Sequence, residues 1–214
     1  MDSKFNIAIS GIPNKLSDLP LDTAIMCHEL LQNTFQSTGL YSNVQIIRTI
    51  GATTFNEAIN TSLSNKCQIH LLFSIQYKPE TNFDTPLPIL STLQHRAASV
   101  YKYFSDRLAF NERPARTYFF PPTHSSSICQ GFVRSFSEGC DMCAISLGTY
   151  SNQTMLREIH KYATVVARAA AQALYRYVAE NQHLAKRQGP QSGPAPYPKP
   201  QKIVFPVYGQ GVIQ

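Results

Sequence analysis

Residues 69–77 read Ile-His-Leu-Leu-Phe-Ser-Ile-Gln-Tyr. A near-continuous apolar run of this length suits an interior strand covered on both faces, the kind found in parallel sheets with helices packed above and below. Upstream the pattern recurs. Residues 5–12 (Phe-Asn-Ile-Ala-Ile-Ser-Gly-Ile) predict a buried strand closing on the turn Gly11-Ile12-Pro13-Asn14, and Val44-Gln45-Ile46-Ile47 predict a second strand. Between them a helix is expected from about Leu21 to Thr38. Asp22-Thr23 offers its cap, Ile25, Leu30, Leu31 and Phe35 fall largely on one face, and Gly39 ends it. A shorter helix near 54–65 carries Phe55, Ile59 and Leu63 into the same strand.

Downstream, residues 78–90 hold three prolines and read as a loop. A long helix is expected from about 90 to 110, with Val100, Tyr103, Phe104 and Leu108 facing inward. Residues 116–120 predict a strand stopped by Pro121-Pro122, and 129–137 a short helix. Met142–Leu147 read as the last buried strand. The final helix, about 152–181, is Ala-rich with Val165, Val166, Ala169, Ala173, Leu174 and Val178 at helical spacing. Strands alternating with helices predict an α/β fold, a mostly parallel twisted sheet with helices on both faces.

The character changes after Asn181. Gly189–Pro200 contains five prolines and two glycines and reads as an extended linker, followed by the apolar, β-prone Ile203-Val204-Phe205-Pro206-Val207-Tyr208. Residues 1–182 are therefore expected to form one domain and 183–214 a Pro-rich basic tail, whose end could pair with a sheet edge here or in a partner.

With 43% hydrophobic residues in 214, the chain can build a real core, while charged residues reach only 15%. The net charge of +6 is spread along the sequence, which argues against a nucleic-acid stripe. Five cysteines form no disulfide framework, and neither a secretory h-region nor a membrane span is visible, so a cytoplasmic location is expected. The lone Cys140-Asp-Met-Cys143 lacks a second pair for zinc and runs into a strand rather than a helix, so buried structural thiols are expected. No Gly-x-Ser-x-Gly elbow, phosphate-binding Gly-rich loop or His-Glu-x-x-His helix occurs.

Three segments narrow the fold. Asn65-Lys-Cys-Gln-Ile-His-Leu-Leu-Phe-Ser-Ile-Gln76, Cys143-Ala-Ile-Ser-Leu-Gly-Thr-Tyr-Ser-Asn152 and Ala171-Gln-Ala-Leu-Tyr-Arg-Tyr177 resemble, in order and spacing, strands and the C-terminal helix of the zinc-dependent N-acetylmuramoyl-L-alanine amidases. The resemblance spans roughly residues 4–180. It implies an amidase-like, zinc-exopeptidase-like fold. In that family two histidines and a glutamate hold zinc, which polarises the scissile amide and activates water, and a second glutamate handles the proton. At the positions that match, this chain has Pro13 in the loop of the first histidine, Asp22 near the metal-binding glutamate, Gln76 for the second histidine and Ser146 for the catalytic glutamate. A neutral amide and a hydroxyl replace neither an imidazole ligand nor a general base.

The resemblance therefore implies a member without catalytic residues or metal, acting as a binding or scaffold protein. Its partners would be a peptidoglycan fragment, or a protein or second copy met through the tail, with no nucleic acid and no membrane. The alternative is an active zinc hydrolase with a rearranged metal site, for which Asp22, His70 and His124 are the candidate residues. His124 stands in a Ser-rich loop, where functional groups concentrate.

Overall fold

The computed structural model describes residues 4–39, 43–48, 51–79, 88–93, 98–110, 116–120 and 127–181. In chain order the elements are β1 (Phe5–Gly11), α1 (Leu19–Thr38), β2 (Val44–Arg48), α2 (Phe55–Ser64), β3 (Ile69–Tyr77), β4 (Ile89–Leu93), α3 (Ala98–Phe110), β5 (Arg116–Phe120), α4 (Ser127–Ser137), β6 (Asp141–Tyr150) and α5 (Gln153–Asn181). The strands among the described residues form one sheet in the order β2-β1-β3-β6-β4-β5. β2, β1, β3 and β6 run parallel, as the apolar run at 69–77 predicts. β4 then turns antiparallel against β6 and carries β5 parallel to itself at the far edge.

β3 shows why the parallel core holds. Ile69, Leu71, Phe73 and Ile75 join one layer with Leu31 and Phe35 of α1, Val100 and Phe104 of α3, and Val166 and Leu174 of α5. Leu72 faces the opposite layer, among Ile59 of α2, Phe132 of α4 and Met142 of β6. Each such side chain contributes about 1.5–3 kcal/mol on burial. Buried Ala163, Ala167, Ala170, Ala171 and Ala173 leave α5 slim enough to sit against both α1 and α3. At its far end the Tyr177 hydroxyl donates to the Asp141 carboxylate, tying α5 to the start of β6. Thr54 and Glu57 close a reciprocal capping box at the start of α2, and Gly39 ends α1 at φ 74°.

One expectation is corrected. The loop over 78–90 and the helix from about 90 overlap a strand, β4 at Ile89–Leu93, and α3 begins only at Ala98. Residues 89–93 take their backbone partners from β6, Ile89 opposite Ser146 and Thr92 opposite Cys143, a long-range pairing that periodicity within so short an apolar run does not reveal. Pro88 immediately before the strand removes no ladder hydrogen bond. The tail at 183–214 lies outside the described residues. Among those described, no helix is long and apolar enough to cross a membrane.

Candidate functional site

In a sheet of this order the chain leaves β1 toward β2 on one side and returns to β3 on the other, so the crevice at the carboxyl ends of β1 and β3 is the topological switch point where α/β sheets place ligands. Gly11 closes β1 because only a glycine fits there. A Cβ would stand 2.1 Å from the Pro20 carbonyl oxygen, where α1 rides over the strand end. The loop between them is ordered by its own polar groups. Ile12 N donates to Phe73 O at 3.0 Å, Asn14 and Ser17 exchange backbone hydrogen bonds, and Leu16 N donates to Asn14 Oδ1 at 2.9 Å.

This loop is latched across the crevice to β6. The Tyr150 hydroxyl lies against the Asn14 amide, 3.1 Å from Nδ2, which donates to it, and 3.2 Å from Oδ1, which accepts from it. Tyr150 is buried, and its ring meets that of Tyr77 at 5.3 Å between centroids. Lys78 N donates to Tyr150 O at 2.9 Å, continuing the strand pairing past β3. Tyr77 is 47% exposed and Leu16 55%, the large apolar side chains that the described residues leave open to solvent, and both stand at this end of the sheet. β6 carries one extra residue here. Ser74 pairs with Ser146 and Gln76 with Thr149, and Gly148 takes up the irregularity at φ 149°.

The predicted positions fall as follows. Pro13 is half-buried in the β1–α1 loop, Asp22 is exposed in the first turn of α1, and Gln76 is exposed near the end of β3. Ser146 is half-buried below them in β6, its hydroxyl donating weakly to Gly148 O at 3.4 Å. As a donor set for zinc, these offer a proline with no side-chain donor, one solvent-facing carboxylate, a neutral amide and a hydroxyl. That set does not fit a metal that selects imidazole, thiolate and carboxylate. Among the described residues no three His, Cys, Asp or Glu side chains converge as a metal site would require.

His70 does not reach the crevice. It sits at the start of β3 opposite Ala8, fully buried, with Nε2 2.6 Å from Ser10 Oγ and with no hydrogen-bond partner for Nδ1 among the described residues. Burial drives its pKa down to about 3, so the ring is neutral. His70 and Asp22 are thus not brought together, and His124 lies outside the described residues. His28 on α1 is half-buried. Its pKa is lowered by burial first and by Arg48 second, with Glu29 opposing. The cysteines are buried and in no disulfide, and burial pushes Cys67 up to about 12 and raises Cys27 and Cys140, which leaves those three poor nucleophiles. Sequence reasoning overlooked the Asn14–Tyr150–Tyr77 latch. The signals were Asn14 directly after Pro13 in a turn and two tyrosines ending adjacent strands, and only strand order makes those neighbours.

No family model and no curated protein matches this sequence. Solved structures do match. The catalytic domain of CwlV, an N-acetylmuramoyl-L-alanine amidase from Paenibacillus polymyxa, superposes with a TM-score of 0.54 at 11% identity, covering 82% of this chain and 99% of its own. The N-acetylmuramoyl-L-alanine amidase AmiC2 of Nostoc punctiforme gives 0.55 at 11% identity, covering 84% and 99%. The amidase from Clostridium difficile 630 gives 0.54 at 12% identity over the same shares. The chain thus has the α/β fold of the cell-wall amidases, a parallel four-strand core flanked by helices.

Proposed function

We propose that this chain is a non-catalytic domain of amidase-like fold that acts by binding. The observation that carries this reading is the content of the strand-end crevice. Pro13, Gln76 and Ser146 occupy the positions that the resemblance assigns to ligands and base, and the Asn14–Tyr150 latch spans the opening between β1 and β6. What this surface presents is the half-open Tyr77 ring, the Gln76 amide and the exposed Leu16, flanked by exposed Lys15, Lys78, Asp18 and Asp22, whose charges balance. Such a surface suits a polar ligand that stacks and hydrogen-bonds, as a peptidoglycan fragment would, or a protein side chain seated on Tyr77 and Leu16. Among the described residues no three His, Cys, Asp or Glu side chains gather there to hold a metal that would activate water.

Zinc content and amide hydrolysis test the reading together. Protein purified without a histidine tag should hold far less than one zinc per chain by elemental analysis, gain no thermal stability from added zinc, and release no peptide from muramyl peptides. Binding of insoluble peptidoglycan, read by co-sedimentation, should weaken in Tyr77→Ala. About one zinc per chain with muramyl-peptide cleavage would overturn the proposal in favour of a rearranged metal site.

A further inference from the structure

We propose that the outer ridge of α5, with the groove between α3 and α5, docks the phosphate backbone of duplex nucleic acid without reading its bases. The cations that look scattered in sequence are gathered by the helix. At 100° per residue Arg157, Lys161 and Arg168 fall within about 40° of one another, opposite the buried Ile159, Val166 and Tyr177. Arg176 stands about 80° round the helix from Arg168 and leans toward α3, its guanidinium 4.9 Å above the Tyr103 ring. From Arg157 to Arg168 the ridge runs about 16 Å, the length of about five base pairs, and Arg176 extends the basic surface about 12 Å further along the helix on the side of α3.

Beside Arg176 lies a groove of about 220 Å³ lined by Tyr103, Asp106, Arg107, Gln172 and Arg176. Lys102 stands exposed one turn before Asp106. The Tyr103 hydroxyl donates to Glu180, and stacking on its ring holds the Arg176 fork in place. The surface is positive on balance. Lys102, Arg107, Arg157, Lys161, Arg168 and Arg176 face Asp106, Glu158 and Glu180, of which Glu158 is bonded to Lys161 at 2.5 Å. Exposed Thr164 and Gln172 lie between the ridge cations and can donate to phosphate oxygens.

The chemistry of the ridge selects among polyanions. Neither Leu16 nor Tyr77, the exposed large apolar side chains among the described residues, lies on it. The half-buried Tyr175 ring at its end packs on Phe35 and the Tyr103 ring is covered by Arg176, so among the described residues it presents no apolar wedge for a bilayer and no open ring for unpaired bases. A convex row of guanidinium and ammonium groups, turning toward α3 at Arg176, follows the phosphates of a duplex strand. Such binding is independent of sequence and steeply salt-dependent.

The test is fluorescence anisotropy of a labelled 20-base-pair random duplex with the full chain across a salt series. Four phosphate contacts predict a log–log salt slope of about −3.6. Arg157→Glu with Arg168→Glu should weaken binding about thirtyfold near 0.15 M salt and flatten the slope by about 1.8, the effect of losing two contacts. Lys15→Glu with Lys66→Glu makes the same change in net charge on exposed residues outside α3 and α5 and should leave affinity within about twofold. Equal loss in both variants, or no measurable duplex binding at 0.05 M salt, overturns the proposal. So does binding to phosphatidylserine vesicles under conditions where the duplex is not bound. Circular dichroism of each variant confirms that the fold is retained.

Discussion

Lowering the pH from 7 to 5 should cost the fold about 2 kcal/mol through one side chain, His70. In the folded protein its pKa is near 3, because the ring is fully buried, with the Ser10 hydroxyl against Nε2 and, among the described residues, no hydrogen-bond partner for Nδ1. In the unfolded chain an ordinary histidine titrates near 6.5. Above that value both states are neutral at this position and no stability is at stake. Below it the unfolded chain takes up a proton that the folded chain refuses, so stability falls as the pH drops from 6.5 toward 3. At 1.36 kcal/mol per pH unit the loss is about 2 kcal/mol at pH 5 and about 3 kcal/mol at pH 4, against a total of about 5–15 kcal/mol for a typical domain. The measurement is urea unfolding at several pH values for the parent and for His70→Gln, which keeps a donor for Ser10. His28 also has a lowered pKa, so both proteins carry His28→Gln to remove its contribution. The parent should lose stability faster on acidification, and the difference between the two should change by about 2 kcal/mol from pH 7 to 5. A difference that stays flat across that range would refute the assignment of a buried neutral imidazole.

Two substitutions test the frame of the crevice. Gly11→Ala places a methyl group 2.1 Å from the Pro20 carbonyl oxygen, a backbone atom that cannot swing away, so α1 must lift from β1. A loss of about 1–3 kcal/mol, or about 2–9 °C in melting temperature, is expected, and an unchanged melting temperature would contradict the close approach. Tyr150→Phe removes the latch to Asn14 while keeping the ring against Tyr77. It should lower stability by about 1 kcal/mol and speed amide exchange in residues 12–18 while leaving β2 unchanged.

The layered architecture was legible because it rests on local periodicity. The apolar run at 69–77, the Ala-rich pattern of 152–181 and the turn at Gly11–Asn14 each fixed an element and the face that it buries, and alternation of strands with helices fixed the fold class. Pro13, Gln76 and Ser146 were assigned through the resemblance, and the structure places them in the β1–α1 loop, near the end of β3 and in β6. Three features needed the tertiary structure, each because it joins residues far apart in sequence. β4 exists through its ladder to β6, which lies some 50 residues downstream, so residues 89–93 hold a strand where local pattern suggested loop and helix. The latch depends on strand order, which sets the β6 end at Tyr150 beside a loop 136 residues earlier. His70 is one side chain in an apolar run until β1 supplies Ser10 and the packed layers remove water, and burial then decides its charge.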